Sequence, residues 1–173
     1  MKKIIVAGLL FIIIAACQQK EEPKSQSPLP SGSLQTQEEL KLLQEAVRSN
    51  PGNVNAWIKL GNTLMDSSRY NEAIDAYQKA LDMNPKNVDV RVDMGVCYRN
   101  AGKPDIAVKE FRKAIEVNQK HVMAHKNLAI VLAYDFRDNI QAIKEFERAL
   151  ELAPNAPDAG RIREEIQKLK AGK

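Results

Sequence analysis

Residues 54–85 read VNAWIKLGNTLMDSSRYNEAIDAYQKALDMNP, and the spacing of Trp57, Leu60, Gly61, Leu64, Ala73, Tyr77, Ala80 and Pro85 within them decides the fold. Thirty-four residues further on, the same places hold Arg91, Met94, Gly95, Tyr98, Ala107, Phe111, Ala114 and Gln119. A second shift brings His125, Leu128, Ala129 and Leu132, and then, after one inserted residue, Ala142, Phe146, Ala149 and Pro154. Three passes at one period describe a stack of like units, each too small to bury its apolar face without a neighbour. Side-chain size explains the pattern. Gly61, Gly95 and Ala129 on a first helix of each unit, with Ala73, Ala107 and Ala142 on a second, let two backbones approach where they cross. Leu60, Tyr77, Met94, Tyr98, Phe111, Leu128 and Phe146 fill the space on either side, and Ala80, Ala114 and Ala149 permit contact with the next unit.

The punctuation agrees with the period. Asn50-Pro51-Gly52-Asn53 and Asn84-Pro85-Lys86-Asn87 break one helix and offer an Asn to start the next. Gly102 can close a helix, and Pro104 suits the first turn of another. Thr36-Gln37-Glu38-Glu39 reads as a capping box opening a helix to about Ser49, with Ala46 and Pro51 at second-helix positions. After Pro154, Ile162, Ile166 and Leu169 lie on one stripe of a charged helix that can cover the last apolar face. The chain alternates helix and turn, with no convincing strand.

These residues resemble the tetratricopeptide repeat, whose pattern is W-x₂-L-G-x₂-Y, then A-x₃-F-x₂-A and P. Unit one matches closely, with Leu64 for Tyr and Tyr77 for Phe; units two and three depart at Arg91, Gln119, His125 and Ala129. The resemblance covers about residues 54–155. It implies an all-α, right-handed solenoid of about eight helices over residues 34–173: a half repeat, full repeats at about 54–87, 88–121 and 122–156, and a capping helix at about 157–170.

The amino-terminal end follows different rules. Lys2 and Lys3 precede the thirteen-residue apolar run Ile4 to Ala16, which as a helix spans roughly 20 Å against about 30 Å of bilayer hydrocarbon. A positive start, a short apolar stretch and small residues form the pattern of an export signal over residues 1–16. Ile14-Ala15-Ala16-Cys17 resembles the bacterial lipobox. That resemblance implies a diacylglyceryl thioether on Cys17, cleavage before it, and acylation of the new amino terminus. An ordinary signal peptide with an incidental Cys17, or an uncleaved anchor, are the competing readings. Two or three acyl chains hold a protein at a bilayer where one does not. Residues 17–33, rich in Pro, Ser and Gln, read as an extended tether. The implied location is the extracytoplasmic face of a bacterial envelope, and Gln18 after the lipidated cysteine fits sorting to an outer membrane where a cell has two.

Composition narrows the function. Twenty-six basic residues against 22 acidic ones become nearly balanced once Lys2 and Lys3 are discounted, which gives nucleic-acid binding no support. There is no glycine-rich phosphate loop, no C-x-x-C, no H-E-x-x-H and no nucleophile elbow, so no enzyme activity is indicated. His121 and His125 could share a helical face, but with only two histidines packing and capping outweigh a metal site. Glu110, Glu116, Glu145, Glu147 and Glu151 read as solvated second-helix faces. Cys97 is the sole thiol beside Cys17 and reads as a small packed hydrophobe. No cofactor is expected beyond the lipid on Cys17.

By the family resemblance, the first helices line a concave surface. Repeat one contributes Asn55, Ile58, Lys59, Asn62 and Met65 to it. Repeat two adds Asp89, Val92, Asp93, Val96 and Arg99, and repeat three Met123, Lys126, Asn127, Ile130 and Tyr134. Apolar residues with scattered charge suit an extended peptide or a partner helix better than a small polar metabolite. The chaperone-tail-binding branch of the family grips a terminal carboxylate with Lys, Asn, Asn, Lys and Arg. The matching places here hold Ile58, Asn62, Asp93, Met123 and Asn127, so only Asn62 agrees. The expected function is a noncatalytic, membrane-anchored adaptor in envelope or pilus assembly or in the organisation of wall synthesis; the alternative is a self-associating structural module.

Overall fold

The computed structural model describes residues 31–172, with side chains from Thr36 onward. The expected signal segment, Cys17 and most of the tether lie outside the described residues. Eight α-helices and no strand occur among those described: α1 (Ser31–Ser49), α2 (Val54–Asp66), α3 (Tyr70–Met83), α4 (Val88–Asn100), α5 (Pro104–Val117), α6 (Val122–Tyr134), α7 (Asn139–Leu152) and α8 (Ala159–Lys170). Successive helices pack on one another, and α2–α3, α4–α5 and α6–α7 form the three closest hairpins. This is an all-α solenoid of the tetratricopeptide type. No described helix is long and apolar enough to cross a membrane.

Each first helix starts in the same way. Asn53, Asn87 and His121 precede α2, α4 and α6, and their side chains accept from the backbone N–H groups of Ala56, Val90 and Ala124 at 3.1 Å. The histidine substitutes for asparagine because its Nδ1 lone pair reaches the same orphan donor. The turns inside the hairpins share a left-handed residue: Ser68 (φ 59), Gly102 (φ 75) and Arg137 (φ 56). Only the middle one is the glycine that this conformation favours. Pro104 opens α5, where a missing N–H costs nothing.

The backbone crossings are as close as the small residues require. A Cβ added at Gly61 would lie 2.5 Å from Cε1 of Tyr77, and one at Gly95 2.5 Å from Cε1 of Phe111. Hairpin three instead carries Ala129, fully buried, and joins its helices through the longer loop Asp135–Asp138. Ala73, Ala107, Ala142, Ala80, Ala114 and Ala149 are buried as well, and so are Leu60, Met94, Tyr77, Phe111, Leu128 and Phe146. Two clusters of buried side chains, one around α1–α4 and one around α4–α8, meet at Tyr98, which packs against both. The core is thus a continuous strip, with no centre.

The structure corrects several boundaries and burials. Helix α1 begins at Ser31, so Gly32 and Ser33 are helical rather than part of the tether, and Thr36 lies one turn inside the helix rather than at its cap. The last helix starts at Ala159, two residues beyond Pro157. Pro85 and Pro154 are exposed in turns, so they end helices rather than pack. Glu110 is only 6% exposed, bonded to Arg91 Nη1 and Lys113 Nζ at 2.8 Å each, and half-buried Glu145 faces His125 Nδ1 at 2.6 Å. Neither is a solvated second-helix residue.

One regularity crosses the residues that depart from the family pattern. Trp57 Nε1 donates to the Pro51 carbonyl at 2.8 Å, Arg91 Nη2 to the Pro85 carbonyl at 2.9 Å, and His125 Nε2 to the Gln119 carbonyl at 3.1 Å. Each spans six residues back to the turn before its own helix. A carbonyl only accepts, so His125 Nε2 carries a proton. An indole, a guanidinium and an imidazole therefore do one job: they tie the helix to the preceding turn through an N–H. Arg91 and His125 add a carboxylate partner on the second helix, Glu110 and Glu145, at the position where hairpin one has buried Ala76.

Candidate peptide-binding groove

The inner face of the solenoid is built from α2, α4 and α6, with α8 continuing the row. Asn55, Lys59, Asn62, Asp89 and Met123 are exposed along it, and Ile58, Met65, Asp93, Val96, Asn127 and Ile130 are half-buried. Val92 does not belong to it. Its side chain is 4% exposed and packs in the core with residues of α5 and α6, because α4 is turned so that this valine meets the next hairpin.

Asn62, Asp89, Arg99, Lys126 and Tyr134 on this face each pair with a side chain of a neighbouring helix or its cap. Tyr77 reaches up from α3 and donates its hydroxyl to Asn62 Oδ1 at 2.8 Å. Between α4 and α6, His121 Nε2 lies 2.8 Å from Asp89 Oδ1, and Arg99 Nε donates to Asp135 Oδ2 at 2.6 Å. Between α6 and α8, Lys126 pairs with Asp158 and Tyr134 donates to Glu165. The Lys126 ammonium holds the Asp158 carboxyl below the usual carboxylate range. Three expected groove residues, Lys126, Ile130 and Tyr134, thus line a cavity of about 330 Å³ with Phe146, Asp158, Arg161, Ile162 and Glu165 of the neighbouring α7–α8 region.

 A separate cavity of about 490 Å³ lies between α5 and the α6–α7 loop, lined by Val108, Leu132 and Phe136, with charged residues around them.

Asp93 is the half-buried carboxylate of this face left out of such pairing. Among the described residues no hydrogen bond or ion pair reaches its carboxylate. Burial first, then the neighbouring carboxylates of Asp89 and Asp66, push its carboxyl above the ordinary range, while His121 acts in the opposite sense. Asp66, at the end of α2, did not stand out in the sequence; its signal is its place one residue beyond Met65. Burial, then Asp93, raises the Cys97 thiol to about 12. That thiol is fully buried and stays protonated, which makes it a packing group. No group of three or more His, Cys, Asp or Glu side chains among the described residues is arranged to hold a metal.

Stacked helical hairpins with small residues at each crossing define the chain as a tetratricopeptide-repeat protein. The family described as the cytochrome c-type biogenesis protein H TPR domain matches residues 15–159, and the chain belongs to it. No curated protein matches. Among solved structures, MamA is similar at 20% identity and a TM-score of 0.74, with 82% of this chain and 80% of that one covered. The first TPR of Spaghetti (RPAP3), bound to an HSP90 peptide, is 25% identical with a TM-score of 0.62, covering 69% and 91%. The Yersinia enterocolitica type III secretion chaperone SycD, in complex with a peptide of the translocator YopD, is 17% identical with a TM-score of 0.64, covering 68% and 92%. As many as 269 solved chains match, so the fold alone selects no partner.

Proposed function

We propose that this protein is a noncatalytic adaptor, held at the extracytoplasmic surface of a bacterial membrane by lipid on Cys17, that captures an extended peptide or a partner helix on its inner face. The observation that carries this reading is the row of exposed and half-buried side chains along α2, α4 and α6, which are apolar at Ile58, Met65, Val96 and Ile130 and polar between. Two similar structures hold peptides, and the family name directs attention to cytochrome c biogenesis. The carboxylate clamp of the chaperone-tail binders is absent, so the partner differs from theirs. Confinement by the anchor raises the effective concentration toward membrane-bound partners without a new contact.

A photo-crosslinking residue placed at Asn55 or Met123 in intact cells tests this. A distinct protein captured from those positions, and not from Gln78 on the outer helix α3, is the expected result; crosslinks to the same chain only would point to self-association. Cys17→Ala is expected to release the protein from the membrane fraction or leave it uncleaved. Wild-type protein found soluble with Met1 intact would refute the anchor.

A further inference from the structure

The second helices meet their neighbours differently at two successive seams. Where α5 follows α3, the half-buried Tyr98 ring of α4 packs against both core clusters. Lys103, just before α5, donates to Asn71 Oδ1 of α3 across this seam at 3.2 Å. One repeat on, Leu132 stands at the Tyr98 position, Asp138 at that of Lys103 and Asp105 at that of Asn71. The ring is gone, and two carboxylates, which only accept, cannot make the bond that Lys103 makes to Asn71. At this seam the cavity of about 490 Å³ opens over Val108, Leu132 and Phe136. Its loop wall is fixed: Phe136 N donates to the Val131 carbonyl at 3.2 Å, Asp138 N to the Leu132 carbonyl at 2.8 Å, and Asp138 Oδ1 accepts from Gln141 N. Asp105 and Asp138 stand at the starts of α5 and α7, and the exposed Lys109 and Arg112 follow about one and two turns along α5. Among the described residues, neither cation has an ion-pair or hydrogen-bond partner.

We propose that this cavity is a second binding site, separate from the inner face, and that it takes an aromatic side chain of a partner protein with an acidic residue close on one side of it. The preceding seam shows what fits, because there the chain supplies a ring of its own. The partner's ring would lie on Val108, Leu132 and Phe136, and an edge-to-face or offset pair with Phe136 adds to the apolar area buried. Lys109 and Arg112 would take the neighbouring carboxylate, the arginine through a fork that matches both oxygens. Asp105 and Asp138 would reject an acidic residue on the opposite side of the ring, which sets the direction of the segment. None of the lining residues belongs to the inner face, so occupying one site leaves the other open.

Random dodecapeptides displayed on phage, selected on the purified full chain in dodecyl maltoside, provide the test. One class of selected peptides is expected to join Trp, Tyr or Phe to a nearby Asp or Glu. Leu132→Tyr, which restores the ring found one repeat earlier, should lower the affinity of that class about tenfold by fluorescence polarisation. Lys109→Glu combined with Arg112→Glu, both exposed positions, should lower it about as much. Circular dichroism verifies that each variant is folded, and the charge variant leaves the core untouched should Leu132→Tyr fail to fold. Absence of an aromatic–acidic class, or a class bound equally by wild type and the folded variants, would overturn the proposal. Aromatic–acidic peptides that crosslink through a probe at Asn55 or Met123, and not through one at Arg112, would overturn it as well while supporting capture on the inner face.

Discussion

Gly61 lies directly against the ring of Tyr77, with room for a hydrogen and not for a methyl: a Cβ there would sit 2.5 Å from Cε1. Gly61→Ala is therefore expected to cost about 1–3 kcal/mol through overpacking, and Gly95→Ala a similar amount against Phe111. Gly160→Ala, with nothing within 4 Å, serves as the control and should gain about 0.5 kcal/mol from helix propensity. Urea unfolding of the three variants measures the contrast. Equal effects at positions 61 and 160 would remove the close crossing from the explanation.

Arg91 holds the buried carboxylate of Glu110, which keeps only Lys113 once the guanidinium is gone. Arg91→Met should cost about 2–4 kcal/mol, since a buried carboxylate is left with one of its two cations. Adding Glu110→Met should recover most of that loss. A double-mutant cycle reads the coupling; purely additive losses would mean that the pair does not act as one unit.

Asp93 should lower stability at neutral pH. Its carboxyl is raised above the value it has in the unfolded chain, so the folded state binds its proton more tightly. Stability then falls as pH rises through the interval between the two values and stays lower above it. Asp93→Asn is expected to melt at a higher temperature than wild type at pH 7, with the advantage shrinking as pH drops through that interval. A constant difference from pH 3 to pH 7 would contradict the charge argument.

Ser68 and Arg137 occupy the left-handed conformation that Gly102 occupies in the middle hairpin. Replacing either with glycine should raise stability by about 0.5–1 kcal/mol, because a Cβ is strained at that backbone angle. Gly102→Ala should lose about as much. Thermal melts of the three variants provide the check.

Much of this fold could be read from spacing. The glycine and alanine slots, the Asn caps at Asn53 and Asn87 and the Gly102–Pro104 turn each act within a few residues or repeat at a fixed period, so the chain displays them directly. The start of α1 was not legible in this way: a capping signal at Thr36 was outweighed, and the helix continues back to Ser31. The roles of Arg91 and His125 were hidden too. Both look like losses of the family tryptophan, yet each keeps its N–H bond to the turn behind it and gains a carboxylate from a helix about twenty residues on.

Local chemistry and period thus determined the number of helices, their pairing and the crossings at Gly61 and Gly95, because those depend on neighbours in sequence. Only the stacking of one hairpin on another decided which polar residues of the inner face are already satisfied. It turned Val92 into the core, drew Lys126 and Tyr134 toward α8, and left Asp93 without a partner, since each outcome depends on the rotation between units and on charges brought together from separate repeats.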